Sequence, residues 1–195
     1  MFVITPCAAG CGRPAVTGSA LCAAHLVNPE KDGKRITDLI MGSEAVNDLT
    51  AQSLGFREID FGGRQLNECS FGHSTFANCS FTGTRMRIVF FDFAVFTSCV
   101  FSGADLRYVS FAGSVMENCR FEGCELPDIN FSGATVSQSV FSNNNLYNSR
   151  FIETAIMNTG FTNCNLKRVN FYKCHQTDLV FKSSNTAEAI FTMEE

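Results

Sequence analysis

A large apolar residue recurs at every fifth position over most of the chain. Phe occupies every tenth position from 61 to 191, and the positions halfway between them, from 66 to 166, hold Leu, Phe, Met, Val or Ile. A period of five fits neither the 3.6-residue period of an amphipathic helix nor the simple alternation of an isolated strand. We therefore expect short extended segments separated by corners, stacked as coils that bury the large residues together.

This pattern closely resembles the pentapeptide-repeat family. The resemblance covers 28 units of five residues, and we call the large apolar residue of each unit its centre. The first centre is Phe56 and the last is Phe191. Members of that family form a right-handed quadrilateral β-helix with four pentapeptides per coil. The resemblance therefore implies an all-β solenoid of about seven coils over residues 56–195. The sequence departs from the usual family pattern in two ways: Phe stands at every second centre, and Cys or Ser stands two residues before many centres. These departures change the packing of the core but not the register of the repeat.

Two further patterns bear on this solenoid. The final coil has polar residues at two centres, Gln176 and Thr186, so we expect it to be loose or to lie near a partner. One corner position is rich in residues that tolerate positive φ, which predicts turns there. Its members are Gly63, Gly83, Gly103, Gly123, Asn143, Asn163 and Ser183.

The ten cysteines fall into two groups by position. Seven lie two residues before a centre, where we interpret them as small, buried and inert hydrophobic residues. They are Cys69, Cys79, Cys99, Cys119, Cys124, Cys164 and Cys174. Cys79, Cys99 and Cys119 would stack in adjacent coils near disulfide distance, so bridging remains an alternative.

The other three cysteines lie in residues 1–30 with a histidine. Cys7, Cys11, Cys22 and His25 have the spacing C-x3-C-x10-C-x2-H, which suits three thiolates and one imidazole around tetrahedral zinc. The segment resembles small zinc-knuckle modules, and all four ligand positions match. A segment this short has little core, so the metal would supply its folding energy in a structural role.

Residues 31–55 join the knuckle to the repeats. Their spaced apolar residues predict one or two short helices, the second starting near Ser43, and we expect this segment to cap the first coil.

Composition excludes several classes of function. Lys and Arg number 15 and Asp and Glu 19, a net charge of −4, so there is no basic footprint for nucleic acid. No apolar run is long enough for a membrane span, and we expect a cytoplasmic protein. His73 and His175 are too far apart to share a site, and no catalytic motif occurs, so we do not expect an enzyme.

Binding to a protein partner is the function that the sequence favours. The candidate interaction surface combines charged with outward apolar side chains: Arg85, Arg87, Ile88, Phe90, Phe93, Val95, Arg107, Lys167 and Arg168. The chain's own N-terminal segment is the first choice to cover the apolar ones, and a second chain, giving a homodimer, is the alternative.

Two other functions remain open. Quinolone-resistance members of the resembled family mimic DNA and bind gyrase, but residues 56–191 here carry 11 Lys and Arg against 12 Asp and Glu, a net of −1, which is too neutral for such a mimic. Binding of nucleic acid through the knuckle would depend on Arg13, Lys34 and Arg35, a weak basic signal, and is ranked last.

Overall fold

The computed structural model describes residues 4–192. One α-helix, α1 (Pro29–Met41), precedes the strands, and short 3-10 turns lie at Ala23–His25 and Thr186–Glu188. The strands are β1 (Ala45–Asn47), β2 (Gly55–Arg57), β3 (Gln65–Ser70), β4 (Thr75–Ala77), β5 (Arg85–Phe90), β6 (Val95–Thr97), β7 (Val100–Ser102), β8 (Asp105–Arg107), β9 (Val115–Glu117), β10 (Arg120–Glu122), β11 (Thr135–Ser137), β12 (Val140–Ser142), β13 (Ala155–Thr162) and β14 (His175–Lys182).

The strands form a parallel solenoid of about seven turns, which confirms the predicted fold class. Each residue pairs with the residue 20 positions further along, as Leu66 does with Met86 and Phe76 with Phe96. One sheet has the order β1-β3-β5-β8, and a larger one runs β2-β4-β6-β9-β11-β13-β12-β10-β7, with β14 added beside β13. Since four pentapeptides make 20 residues, each coil has four sides.

The interior is a set of aromatic ladders. Phe101 stacks between Phe81 and Phe121, with ring centroids 4.7 and 4.5 Å apart. A second ladder contains Phe91 and Phe111, at 5.2 Å, and its rings meet those of the first edge to face, as Phe101 meets Phe111 at 6.0 Å. Parallel stacking along the rod and edge contact across it are both favourable arrangements of aromatic rings.

The corners have left-handed backbone in every coil. The predicted column from Gly63 to Ser183 has positive φ throughout, and so do the corresponding residues of the other corners. The sequence indicated only the Gly- and Asn-rich column, because other corners hold residues that rarely adopt this conformation, such as Ile88 at 57° and Phe93 at 58°.

The inward position two residues before each centre is a hydrogen-bonding position as well as a packing position. The Cys99 thiol donates to the carbonyl of Phe76 at 3.4 Å, and the Ser149 hydroxyl donates to the carbonyl of Leu126 at 2.7 Å. In both cases the acceptor is the central residue 23 positions earlier. The interpretation of these cysteines as hydrophobic filling is therefore incomplete, because a small donor is what serves this carbonyl.

Six of the seven thiols inside the solenoid have a raised pKa, and Cys119 is the exception because a hydrogen bond with Cys99 lowers its pKa. All ten cysteines of the chain are free, so the stacked cysteines are not bridged in this structure. Burial raises the pKa of Cys69 to about 12 and that of Cys124 to about 11, which keeps both as uncharged thiols near neutral pH.

The N-terminal cap contains one helix. Asn28 caps α1 by accepting a hydrogen bond from the Lys31 amide at 3.0 Å, and Ile36 and Ile40 are fully buried in the solenoid core. The helix expected near Ser43 was a wrong prediction. That segment enters β1 because Val46 takes a central position in register with Leu66, so the coils begin upstream of residue 56.

The last coil stays in register but is more open. Gln176 pairs with Ile156 and is exposed, and Phe191 stacks on Phe171 at 5.3 Å while 38% of its surface remains accessible.

Candidate zinc site and interaction surfaces

A tight loop brings Cys7 and Cys11 together. Pro6 and Pro14 form an antiparallel bridge, and the Cys7 amide donates to the Arg13 carbonyl at 2.9 Å. Between them, Gly10 and Gly12 have φ of 71° and 76°. Glycine adopts this backbone without the penalty that a side chain would add, so the loop can reverse within a few residues.

A second short segment supplies the other two ligands. The 3-10 turn Ala23–His25 places His25 one turn after Cys22, and the His25 amide donates to the Cys22 carbonyl at 2.9 Å. The Ala8 amide donates to the Ala20 carbonyl, also at 2.9 Å, which holds this segment against the loop.

The four predicted ligand atoms converge on one point. The Sγ atoms of Cys7, Cys11 and Cys22 and a ring nitrogen of His25 all lie within 4.8 Å of one another. Cys11 Sγ lies 3.6 Å from Cys22 Sγ, and His25 Nδ1 lies 3.4 Å from Cys7 Sγ and 3.5 Å from Cys22 Sγ. Zinc bond lengths in a regular tetrahedron imply S···S edges of about 3.8 Å and S···N edges of about 3.6 Å. The observed separations therefore suit a Cys3His metal site.

A local hydrogen bond favours the thiolate form of one of these cysteines. The Cys22 amide donates to Cys7 Sγ at 3.3 Å, which lowers the pKa of Cys7 to about 6, whereas burial raises the pKa of Cys22. Cys7 and Cys22 are buried, while Cys11 and His25 face solvent. With four protein ligands, the arrangement has no open position for a substrate and is of the structural type.

The knuckle is fastened to the first coil. The Thr17 amide donates to the Thr50 carbonyl at 2.8 Å, and the Thr50 amide donates to Thr17 Oγ1 at 2.7 Å. Arg35 of α1 donates to the Thr17 carbonyl at 2.6 Å. Val16 is 1% exposed and belongs to the solenoid core. Knuckle, helix and first coil thus form one connected end of the rod.

The charged candidates do not form a single basic patch. Arg87 and Arg107 share the carboxylate of Asp105, at 2.6 and 3.1 Å. Lys167 pairs with Glu188 at 3.5 Å. Arg85 and Arg168 are exposed. Three of the five predicted cations are therefore paired with carboxylates of their own neighbours.

The apolar candidates are divided by the N-terminal segment. Ile88, Phe93 and Val95 keep 41, 59 and 38% of their surface exposed. Phe90 is half-buried and lines a pocket of about 210 Å³ with residues that include Ile4 and Pro14. Among residues 4–192, docking of the chain's own N-terminus thus reaches Phe90, while the other three remain accessible.

Sequence reasoning missed Tyr108, Tyr147 and Arg150. Tyr108 is 64% exposed, and it follows Ile88 by one coil at the same corner. Arranging the sequence in rows of 20 would have placed all three near Arg168.

Comparison with protein families identifies the repeats. A model described as Pentapeptide repeat region matches residues 114–191, and one described as Pentapeptide repeats (8 copies) matches residues 91–123. Together they run over 91–191, more than half of the chain. None of the curated proteins compared with the chain matches it.

Solved structures share the fold at low sequence identity. A trypsin-treated variant of QnrB1, described as a plasmid-mediated fluoroquinolone resistance protein, is 12% identical, with a TM-score of 0.52 over 71% of this chain and 82% of that one. A second trypsin-treated QnrB1 variant is 14% identical, with a TM-score of 0.50 over 70% of this chain and 81% of that one. HetL, a pentapeptide repeat protein from the cyanobacterium Nostoc sp. strain PCC 7120, is 11% identical, with a TM-score of 0.36 over 82% of this chain and 96% of that one.

A helix long and apolar enough to cross a membrane does not occur among residues 4–192.

Proposed function

The chain belongs to the pentapeptide-repeat family. We propose that it is a non-enzymatic, cytoplasmic protein-interaction module. A structural zinc ion holds its N-terminal cap. The convergence of Cys7, Cys11, Cys22 and His25 within 4.8 Å is the observation that carries the zinc assignment. The flat sides of the rod, with exposed apolar and cationic side chains, support the binding role.

Zinc would act through the cap. Its ligands lie in the same segment as Val16 and Thr17, which contact the core and the first coil. Ordering of the loop by the metal therefore stabilises the contacts that cover the end of the solenoid.

Elemental analysis of the purified full chain tests the metal. We expect about one zinc per chain for three thiolates and one imidazole around a tetrahedral ion, and loss of that zinc in Cys7→Ser. Cys69→Ser, at a buried thiol outside the site, is the matched control and should retain it. A metal-free protein whose residues 4–28 give well-ordered amide resonances would refute the assignment.

Affinity capture tests the interaction role. The zinc-loaded full chain, immobilised, should retain a partner from native extract of its source cells in proportion to the amount of chain on the resin. Retention equal to that of a resin carrying unfolded chain would contradict the proposal.

Gyrase modulation is a second candidate, and the fold likeness to QnrB1 favours it. Charge opposes it, since residues 56–191 carry a net charge of only −1 and a mimic of duplex DNA must imitate a dense row of phosphates. A supercoiling assay in which excess chain leaves gyrase activity unchanged would remove this candidate.

Nucleic-acid binding through the knuckle is weaker still. Of the three cations that it would use, Arg35 is occupied by the Thr17 carbonyl and by Asp32, at 2.6 and 3.1 Å. A salt-dependent mobility shift that is lost when Arg13 and Lys34 are replaced by Gln would favour it over protein binding.

A further inference from the structure

One corner of the rod changes its chemistry along its length. Residues 20 positions apart stand in line there, in successive coils, and all have φ between 55° and 61°. They are Ile88, Tyr108, Asp128, Asn148 and Arg168. At the spacing of hydrogen-bonded neighbours, the four steps from Ile88 to Arg168 cover roughly 19 Å. We call this line the Ile88 corner.

The first end of the Ile88 corner is apolar, exposed and strained. Ile88 is β-branched, has φ of 57° and keeps 41% of its surface accessible. Left-handed backbone is unfavourable for such a residue, and Asp or Asn holds the equivalent position in other coils, at Asp48 and Asp128. An exposed side chain returns little burial energy to offset this cost. The fold imposes this backbone on the corner but does not require Ile there, so the exposed Ile88 points to a role in binding.

The other end of the Ile88 corner is a cationic pocket. A depression of about 390 Å³ is lined by Tyr108, Asp128, Asn148, Arg150, Arg168, Asn170 and Ile190. Within the part of the chain that the structure describes, Arg150 and Arg168 make no ion pair, because Asp128 accepts the Asn148 amide at 2.6 Å and the carboxylates further away serve other cations. The two guanidinium groups outnumber the one carboxylate of Asp128 among the lining residues, so the pocket has a net positive charge and suits carboxylates.

A tyrosine holds one of these two cations, Arg168, in place. Arg168 donates to the Tyr147 hydroxyl at 3.2 Å, and its guanidinium carbon lies 5.9 Å from the centre of that ring. The Tyr172 amide donates to Asn170 Oδ1 at 2.8 Å, which orients the Asn170 side chain of this pocket. Tyr and Arg are the side chains that most often dominate the energetics of protein interfaces.

We propose that the Ile88 corner binds an extended acidic peptide segment of a protein partner, with an apolar side chain against Ile88 and Tyr108 and carboxylates against Arg150 and Arg168. This assignment rests on the proposed interaction function and names its surface. An extended chain of about six residues covers the distance between the two ends. A nucleic acid suits the corner less well, because Asp128 lies between the cations and the apolar end, where a continuous phosphate backbone would pass.

The probe is a fluorescein-labelled peptide with two Leu residues at its N-terminus, then two Gly residues that pass Asp128, then three Glu residues. It is titrated into the zinc-loaded full chain and followed by fluorescence anisotropy. The same peptide with Gln in place of Glu should bind at least about tenfold more weakly, because it lacks the charge-assisted hydrogen bonds. A single-stranded oligonucleotide of equal charge should bind more weakly than the Glu peptide. Tighter binding of the oligonucleotide would overturn the proposal.

Variants locate the site. Arg150→Gln with Arg168→Gln should weaken binding of the Glu peptide by about tenfold or more, and Ile88→Asn by several-fold. Arg57→Gln with Arg120→Gln removes the same charge from exposed arginines elsewhere on the rod and should leave the affinity unchanged. Equal losses in the two double variants would show a non-specific charge effect and would refute the surface. All five substituted side chains are exposed, and circular dichroism checks that each variant folds.

The two proposals can fail separately. If affinity capture retains a partner equally with the wild-type chain and with the Arg150→Gln, Arg168→Gln variant, the interaction function stands and the Ile88 corner is the wrong surface. If capture retains nothing while the peptide binds the wild-type chain specifically, the peptide-binding surface stands and the proposal of a protein partner in the source cells is contradicted.

Discussion

Ser149 and Ser114 occupy equivalent inward positions and are both fully buried, yet their hydroxyl groups have opposite surroundings. Ser149 Oγ donates to the Leu126 carbonyl at 2.7 Å and accepts from the Ile129 amide at 3.1 Å. Ser114 Oγ has no hydrogen-bond partner among the described residues. Replacing each by Ala therefore removes the same atom from two different environments.

The expected free-energy changes have opposite signs. Ser149→Ala leaves a buried carbonyl and a buried amide without this partner, and one such group costs about 1–3 kcal/mol, so we expect destabilisation of about 2 kcal/mol or more. Ser114→Ala removes a buried hydroxyl that makes no hydrogen bond with the described residues, so we expect stabilisation of about 1 kcal/mol. The two variants should then differ by about 3 kcal/mol, which corresponds to about 6–12 °C in Tm for a chain of this size.

Urea titration followed by far-ultraviolet circular dichroism measures this difference, with zinc held in excess so that the cap contributes equally. Both variants should have the same dependence of unfolding free energy on urea, because neither changes the surface exposed on unfolding. Equal destabilisation by the two substitutions would refute the reasoning, since it would mean that loss of packing, and not the hydrogen bonds to the neighbouring coil, decides stability at this position.

Further predictions concern the core, the corner and one ion pair. Phe101→Ala should lower the unfolding free energy by about 3–5 kcal/mol, because Phe101 is fully buried between two stacked rings. Phe191 is 38% exposed and stacked on one side only, so Phe191→Ala should lower it by about half as much or less in the same urea titration. Ile88→Asn should raise the unfolding free energy by about 1 kcal/mol by relieving left-handed strain, even though it weakens peptide binding, and a loss of stability would contradict the strain argument. Although burial alone would raise the pKa of Asp105, the guanidinium groups of Arg87 and Arg107 hold it below its usual value. A carboxyl with a depressed pKa stabilises the fold above its unfolded pKa and loses that contribution as the pH falls through its folded pKa. Asp105→Asn should therefore destabilise at neutral pH, and its difference from the wild-type chain should shrink as the pH falls below the usual pKa of Asp, as thermal melts from neutral to acid pH can check.

The solenoid could be predicted from the sequence because its determinant is periodic. Phe101 and Leu106 are recognisable as core residues from spacing alone, and the structure buries both completely. The convergence of Cys7, Cys11, Cys22 and His25 could be predicted for a similar reason, since a metal site draws its ligands from closely spaced pairs such as C-x3-C and C-x2-H.

What could not be predicted depends on contacts between coils. Ser114 and Ser149 have the same position in the repeat, and only the carbonyl and amide groups of the neighbouring coil distinguish them. Likewise, Arg107 and Arg168 look alike in the sequence, but Asp105 neutralises the first and no carboxylate reaches the second within residues 4–192. The start of the coils at Val46 was missed because a single Val between the exposed residues Ala45 and Asn47 gives no periodic signal.

The uniform 20-residue register has a consequence for how such a rod can change in length. Deletion of one whole coil of 20 residues would join two coils that are already in register. Every ladder would stay continuous, and the rod would be about 5 Å shorter. Loss of a single residue would instead rotate every downstream side chain out of its column. This architecture therefore tolerates insertion and deletion of whole coils. The distance between the capped end and any site further along the rod can change only in steps of one coil.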